Sequence, residues 1–237
     1  MIPKIIHYCW LSNEPVPETF KRYMSSWKSK LPDYEFMLWN FDRFPKNKSK
    51  WVSDAYDCKK YAFAADYIRL YALYNYGGIY LDMDVEVLKS FNDFLELDTM
   101  ICWQKDSNSG LEVAAFGTKK HSEWVNRCLE SYENKFFMDD KGNLNLMPLP
   151  LRIENILREN NYQLVGVQDI SQAKEYEADK IIPVFSSDFF SPKSYLNGKV
   201  TITSFTYSIH HFSGSWMSWM SKWKKHLQTF LRAFKKK

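Results

Sequence analysis

The chain has 237 residues, 45% of them hydrophobic and 25% charged, enough apolar material for one α/β domain with a well-buried core. The net charge of +4 is unevenly placed: Trp219 to Lys237 hold seven Lys or Arg and no acid, which leaves −3 on residues 1–218. Basic charge confined to one end argues against a nucleic-acid-binding domain. The four cysteines, Cys9, Cys58, Cys102 and Cys128, form no C-x-x-C pair and no spacing for structural zinc, so a reduced cytoplasmic protein is expected. No signal-peptide pattern opens the sequence and no run of 18 apolar residues crosses it, so membrane contact is expected to be peripheral.

In chain order, residues 4–10 read as a buried first strand, and Glu18 to Lys30 as a helix with Phe20, Tyr23, Met24 and Trp27 on one side. Tyr34 to Trp39 is a second strand, which makes the opening strand–helix–strand typical of α/β folds. Asp54 to Tyr76 reads as one long helix stopped by Gly77-Gly78, and Ile79 to Leu88 as the strand that follows. Shorter strands are expected at Met100–Trp103 and Leu111–Phe116, then a helix from His121 to Phe136. A further helix is expected beyond Pro150, with strands around Tyr162–Val167 and Ile181–Phe185. The expected organisation is one domain over 1–218 and a basic amphipathic tail over 219–237.

The segment from Gly77 to Leu88 carries the strongest chemical signal. Chance supplies about one D-x-D in a chain of this length, but here Asp82 and Asp84 close an apolar strand, where alternation points both to one side. Two carboxylates about 7 Å apart on one face repel unless a cation lies between or beside them. Hard oxygen ligands suit Mg²⁺ or Mn²⁺ that already carries phosphate oxygens. The plain alternative is that the acids mark where the strand meets water.

Upstream, the apolar helix around Ala62–Leu73 is interrupted only by Asp66 and Arg69, three residues apart and therefore on one face. They form either a structural ion pair or a pair aimed into a site. Downstream, Ile209-His210-His211-Phe212-Ser213-Gly214-Ser215-Trp216 places two histidines on opposite faces of a strand, so at most one serves a given site. A neutral imidazole can complete the coordination of Mn²⁺, the Ser-Gly-Ser run lets backbone approach a diphosphate, and the Trp216 N–H can donate to it.

Taken together, Ile2 to His7 with Trp10, the Ala65-Asp66-x-x-Arg69 helix, Gly77-Gly78-Ile79-Tyr80-Leu81-Asp82-x-Asp84, and His210-His211-x-x-Gly214-Ser215-Trp216 resemble the DXD-containing glycosyltransferases of family 32, which include capsular and lipopolysaccharide enzymes. More distantly they are similar to the glucosyltransferase domain of the large clostridial toxins. The resemblance implies a GT-A fold, a Rossmann-like mixed sheet flanked by helices, with Mn²⁺ or Mg²⁺ and a sugar transfer that retains anomeric configuration. It implies that Asp84 binds the metal, that Asp82 contacts donor ribose or sugar and metal, and that Asp66 and Arg69 hold the transferred sugar and diphosphate. His211 is implied as the third ligand, with Trp10, Tyr80, Ser215 and Trp216 in substrate binding. The implied donor is a nucleotide-sugar, UDP-sugar favoured, and the acceptor a glycan or lipid-linked glycan in surface polysaccharide synthesis.

In Trp216–Phe234 apolar residues recur at helical spacing, with Lys and Arg on much of the other face. Such a helix suits an anionic membrane surface on the inner face of the cell membrane, or packs on the domain. Two other classes share parts of this pattern. A haloacid-dehalogenase-like phosphatase also places D-x-D at a strand end, but expects Thr or Val where this chain has Glu86, and has its motif on the first strand. A non-catalytic membrane-binding scaffold would have little reason to keep Asp66, Arg69, Asp82, Asp84, His211 and Trp216 together.

Overall fold

In a computed structural model, residues 1–106 and 110–213 are described. The Trp216–Phe234 segment, with Ser215 and Trp216, lies outside them.

A seven-stranded mixed sheet is built from β1 (Ile5–Cys9), β2 (Glu35–Trp39), β3 (Gly78–Leu81), β5 (Thr99–Trp103), β6 (Leu111–Thr118), β7 (Gln163–Val167) and β8 (Ile181–Phe185), in the order β2-β1-β3-β6-β5-β8-β7. Strands β2, β1 and β3 run parallel, β6 is antiparallel to both β3 and β5, and β8 runs parallel to both β5 and β7. A separate two-stranded ribbon pairs β4 (Val85–Val87) with β9 (Ser208–His210), antiparallel, with Val85 opposite His210.

Helices cover both faces. On one side α2 (Lys50–Asp57), α3 (Tyr61–Tyr76), α4 (Glu123–Glu130) and α5 (Leu149–Glu159) pack around Trp51, Ile68, Leu73, Phe116 and Phe137. On the other, α1 (Glu18–Lys30), α6 (Ile170–Tyr176) and α7 (Ser187–Phe190) enclose Ile6, Phe20, Trp27, Phe94 and Phe185. Burial of two such apolar layers is the main driving term for the fold. Helix α1 also reaches the ribbon: Trp27 Nε1 donates to Val85 O at 2.7 Å, and Ser26 Oγ accepts the Val87 N–H at 2.9 Å.

The expected long helix from Asp54 to Tyr76 is two helices. Lys59 sits at φ 56°, a left-handed conformation that no helix interior holds, and the chain turns there between α2 and α3. The expected helix from His121 to Phe136 is reduced to α4, while α6 and α7 were not anticipated. Helix α3 ends as its Gly-Gly signal requires. Gly77 and Gly78 have φ 66° and 102°, and a Cβ on Gly78 would lie 2.6 Å from Ile5 O. The tight link lets β3 start directly beside β1.

Candidate functional site

Strand β3 stops at Leu81, earlier than the expected Leu88. The Asp82 N–H still donates to Ala114 O at 2.7 Å, but the chain then turns, with Val85 N–H donating to Asp82 O at 3.0 Å, before β4 begins in the ribbon. Strand alternation therefore does not aim Asp82 and Asp84. A turn at the C-terminal end of β3 brings them together, one facing the helix layer and the other facing β9.

Asp82 meets α3. Its Oδ1 lies 3.2 Å from Arg69 Nη2, and that same Nη2 lies 3.2 Å from Asp66 Oδ1 one turn earlier. Arg69 Nη1 donates to Val113 O at 2.8 Å, and the guanidinium lies 4.5 Å from the centroid of the Tyr80 ring, while Nε has no hydrogen-bond partner among the described residues. Only 5% of Arg69 is exposed, so the guanidinium faces its own carboxylates rather than solvent. Burial works against its charge, but Asp82 and Asp66 outweigh that and hold it protonated. Burial raises the Asp66 pKa to about 6 despite Arg69, and raises that of Asp82 as well. The cluster is two acids around one base, so Arg69 decides whether Asp66 and Asp82 can both remain ionised.

Asp84 meets β9. Its Oδ2 accepts the Ser213 N–H at 2.7 Å, and its Oδ1 lies 3.4 Å from His210 Nε2. Burial pushes the Asp84 carboxyl up, but His210 and the Ser213 N–H bring it down to about 2. The other nitrogen of His210, Nδ1, lies 3.2 Å from Glu112 Oε2 on β6. Burial lowers the His210 pKa, yet Glu112 and Asp84 on either side raise it to about 10. Glu112 was not anticipated from sequence. The available signal was an acid within Leu111–Thr118, a strand whose every residue is buried.

One ligand atom each of Asp82, Asp84 and His210 can be chosen so that all three lie within 4.8 Å of one another. Two carboxylate oxygens and an imidazole nitrogen are a donor set that suits Mn²⁺ or Mg²⁺. Asp84 has one oxygen held by backbone and the other turned toward His210, so the residues fit a divalent ion. His211, expected as the third ligand, is placed elsewhere. Its Nε2 lies 2.9 Å from Glu86 Oε2 and its ring stacks on Tyr23 at 4.4 Å, away from the pair of aspartates. Neighbouring strand residues face opposite ways, and it is His210 that faces inward.

Tyr80, expected at the substrate, is 1% exposed and instead supports Arg69 from below. Trp10 is partly exposed just beyond β1, its Nε1 donating to Glu14 O at 2.9 Å, on the same sheet edge as Asp82. Ser215 and Trp216 lie outside the described residues. Among the described residues no helix is long and apolar enough to cross a membrane.

Comparison with known proteins bears on this arrangement. Residues 17–101 match the family described as a glycosyltransferase sugar-binding region containing a DXD motif. The inositol phosphoceramide mannosyltransferase 3 of Schizosaccharomyces pombe is 35% identical over 123 residues, which is 50% of this chain and 34% of the relative. Inositol phosphoceramide mannosyltransferase 2 of the same organism is 39% identical over 137 residues, 56% of this chain and 39% of the relative. The chain thus spans well under half the length of these curated relatives. Among solved structures, the PaToxG glycosyltransferase superposes with a TM-score of 0.53 at 18% identity, covering 67% of this chain and 70% of that one, a likeness of fold. Residues 17–101 are thus similar to a DXD glycosyltransferase sugar-binding region, and the chain's mixed α/β fold is like that of a solved glycosyltransferase.

Proposed function

We propose that this glycosyltransferase region belongs to a metal-dependent, retaining hexosyltransferase that takes its sugar from a nucleoside-diphosphate donor. The acceptor is a hydroxyl of a glycan or lipid-linked glycan, in surface polysaccharide synthesis. The observation that carries the reading is the convergence of Asp82, Asp84 and His210 just past the C-terminal end of a parallel strand, with the Asp66–Arg69 pair alongside. Open α/β sheets bind ligands at that end of their strands.

Asp82, Asp84 and His210 would hold the ion. A divalent ion there supplies positive charge to a diphosphate as it leaves the anomeric carbon. The protein's own part is to keep the donor set ready. Before an ion binds, protonated His210 and the Ser213 N–H favour the charged form of Asp84 and keep it ionised through neutral pH; a bound ion would take the place of the His210 proton. Arg69 keeps Asp82 and Asp66 ionised side by side, a positioning role, since its guanidinium is buried among them. Asp66, with 13% of its side chain exposed, accepts a hydroxyl of the transferred sugar. The anomeric carbon–phosphate oxygen bond breaks, the bond to the acceptor oxygen forms on the same face, and the acceptor proton passes to the departing phosphate oxygen. Retention and this proton route rest on the family resemblance. The basic segment 219–237 attaches the protein to an anionic membrane face, on the cytoplasmic side.

The test is nucleoside diphosphate release from a panel of UDP- and GDP-sugars with Mn²⁺. UDP-sugars come first, and mannose-bearing donors stand beside them because the relatives above are named mannosyltransferases. Turnover of one donor, abolished by EDTA, is the expected result; release that ignores the chelator sinks the metal assignment. Deletion of residues 222–237 should remove binding to anionic liposomes while leaving donor turnover in place.

A further inference from the structure

Glu112 is the one acid of β6, in a strand whose eight residues are all buried, and only 5% of it is exposed. Such a carboxylate is costly to bury unless its oxygens are fully engaged. They are. Oε1 accepts the Ala114 N–H at 2.9 Å, while Oε2 faces Ser191 Oγ at 3.0 Å and His210 Nδ1 at 3.2 Å. Three donors from three parts of the chain, β6 itself, the end of α7 and β9, thus converge on one side chain.

We propose that Glu112 is a positioning residue that accepts the Nδ1–H of His210 and so holds the imidazole with Nε2 turned toward Asp82 and Asp84. The inference rests on the metal reading above and extends it to a residue outside the ligand set. Strand β9 is only three residues long and lies at the edge of a ribbon, so pairing alone fixes the backbone of His210 but not its ring. The ring also lies against Phe212, with centroids 4.0 Å apart, a contact that does not distinguish one ring nitrogen from the other. Glu112 does. An imidazole that gives its Nδ1–H to a carboxylate presents its Nε2 lone pair to a metal, and such outer partners raise ligand basicity as well as setting direction. Asp84 is a weaker guide, because its oxygen stands 3.4 Å from Nε2, at the long end for a hydrogen bond.

The competing role is purely structural, a buried ion pair that pins the ribbon to β6. Substitutions separate the two. In Glu112→Gln the amide has one oxygen and one N–H₂ for three donors, so either Ala114 or His210 meets a donor. Glu112→Asp keeps the charge but withdraws it from His210. Both variants, the wild type, His210→Ala and Ser191→Ala would be examined with Mn²⁺ and UDP, by calorimetry for affinity and by pulsed electron paramagnetic resonance for ¹⁴N coupling from a coordinated imidazole. Circular dichroism and thermal melting report folding in parallel.

Glu112→Gln and Glu112→Asp are expected to bind Mn²⁺ roughly 10–100-fold more weakly and to lose the ¹⁴N coupling as His210→Ala does. Ser191→Ala is expected to keep the coupling. Wild-type affinity and coupling in a folded Glu112→Gln or Glu112→Asp protein would overturn the proposal while leaving the metal site intact. A wild type without ¹⁴N coupling would remove the metal reading and this inference together. If Glu112→Gln does not fold, the shorter Glu112→Asp decides.

Discussion

Two histidines of this protein, one fully and one partly buried, have pKa values pushed in opposite directions, and their surroundings show why. His7 on β1 is fully buried. Its Nε2 donates to Gly77 O at 2.7 Å and its Nδ1 accepts the Trp39 Nε1–H at 3.1 Å. Burial depresses its pKa to about 4, the carbonyl of Gly77 opposes this weakly, and the Arg43 charge adds to it. His210 suffers the same penalty from burial, but it lies between Glu112 and Asp84 and its pKa rises to about 10. Desolvation has one sign in both places; the partners decide the outcome. His7 is a neutral clasp that ties the Gly77–Gly78 link and β2 to β1. His210 belongs to a charge cluster with Asp84 and Glu112, beside Asp82. A histidine within a recognisable motif can serve the scaffold or the chemistry, and its hydrogen-bond partners tell which.

The contrast can be broken most severely on the charged side. Arg69→Ala leaves Asp66 and Asp82 facing each other without their cation. A loss of about 3–5 kcal/mol is expected on removing one partner of a buried ion pair, measured by urea unfolding, together with loss of turnover. Asp84→Asn should preserve the fold, since the amide oxygen can still accept the Ser213 N–H, but should lower donor turnover by about 10²–10³-fold. Near wild-type turnover would mean that Asp84 holds nothing essential.

On the neutral side, His7→Leu leaves the Gly77 carbonyl and the Trp39 N–H unpaired. It should cost about 1–3 kcal/mol of stability while the affinity for Mn²⁺ and nucleotide stays within about twofold, the small error expected for distant, independent sites. The same substitution has a pH signature. The folded pKa of His7, about 4, lies below its ordinary value near 6.5. The unfolded chain therefore binds the extra proton first, and stability is full above 6.5 and falls as pH drops toward 4. Besides Arg43, the rings of Trp39 and Tyr76 lie near this imidazole. His7→Leu should flatten that acid-side slope in unfolding experiments; an unchanged slope would assign it to other groups. The smallest effect is expected from His211→Ala, which breaks a partly exposed contact with Glu86. Mn²⁺ dependence should survive there and weaken in His210→Ala.

Much of this was legible in the sequence. The spacing of Asp66 and Arg69 placed both on one face of an apolar helix and left an ion pair and a site-facing pair open; the two side chains do contact each other. The Asp82–Asp84 pair was legible too, although for a different physical reason. Strand alternation suggested convergence, whereas a turn after Leu81 produces it. The two adjacent histidines do have different partners, His210 closing β9 and His211 lying just past it, but which of them faces inward depends on the register of β9 against β4. That register is a long-range pairing that local pattern does not encode. Glu112 was hidden for the same reason. Its partners beyond Ala114 among the described residues, Ser191 and His210, are far away in the sequence. The break between α2 and α3 escaped because Lys59, a residue with no preference for left-handed backbone, occupies the turn.

The ribbon has a consequence for the life of the chain on the ribosome. All seven strands of the large sheet lie before residue 186, while His210 and the Ser213 N–H that engages Asp84 lie 126 and 129 residues beyond it. A chain emerging N-terminus first can assemble its sheet and both apolar layers well before β9 exists to pair with β4. Until then Asp82 and Asp84 stand at an open strand end with no imidazole beside them. Competence to grip an ion would arrive as a discrete late event in synthesis, when a three-residue strand docks, rather than growing in step with the fold.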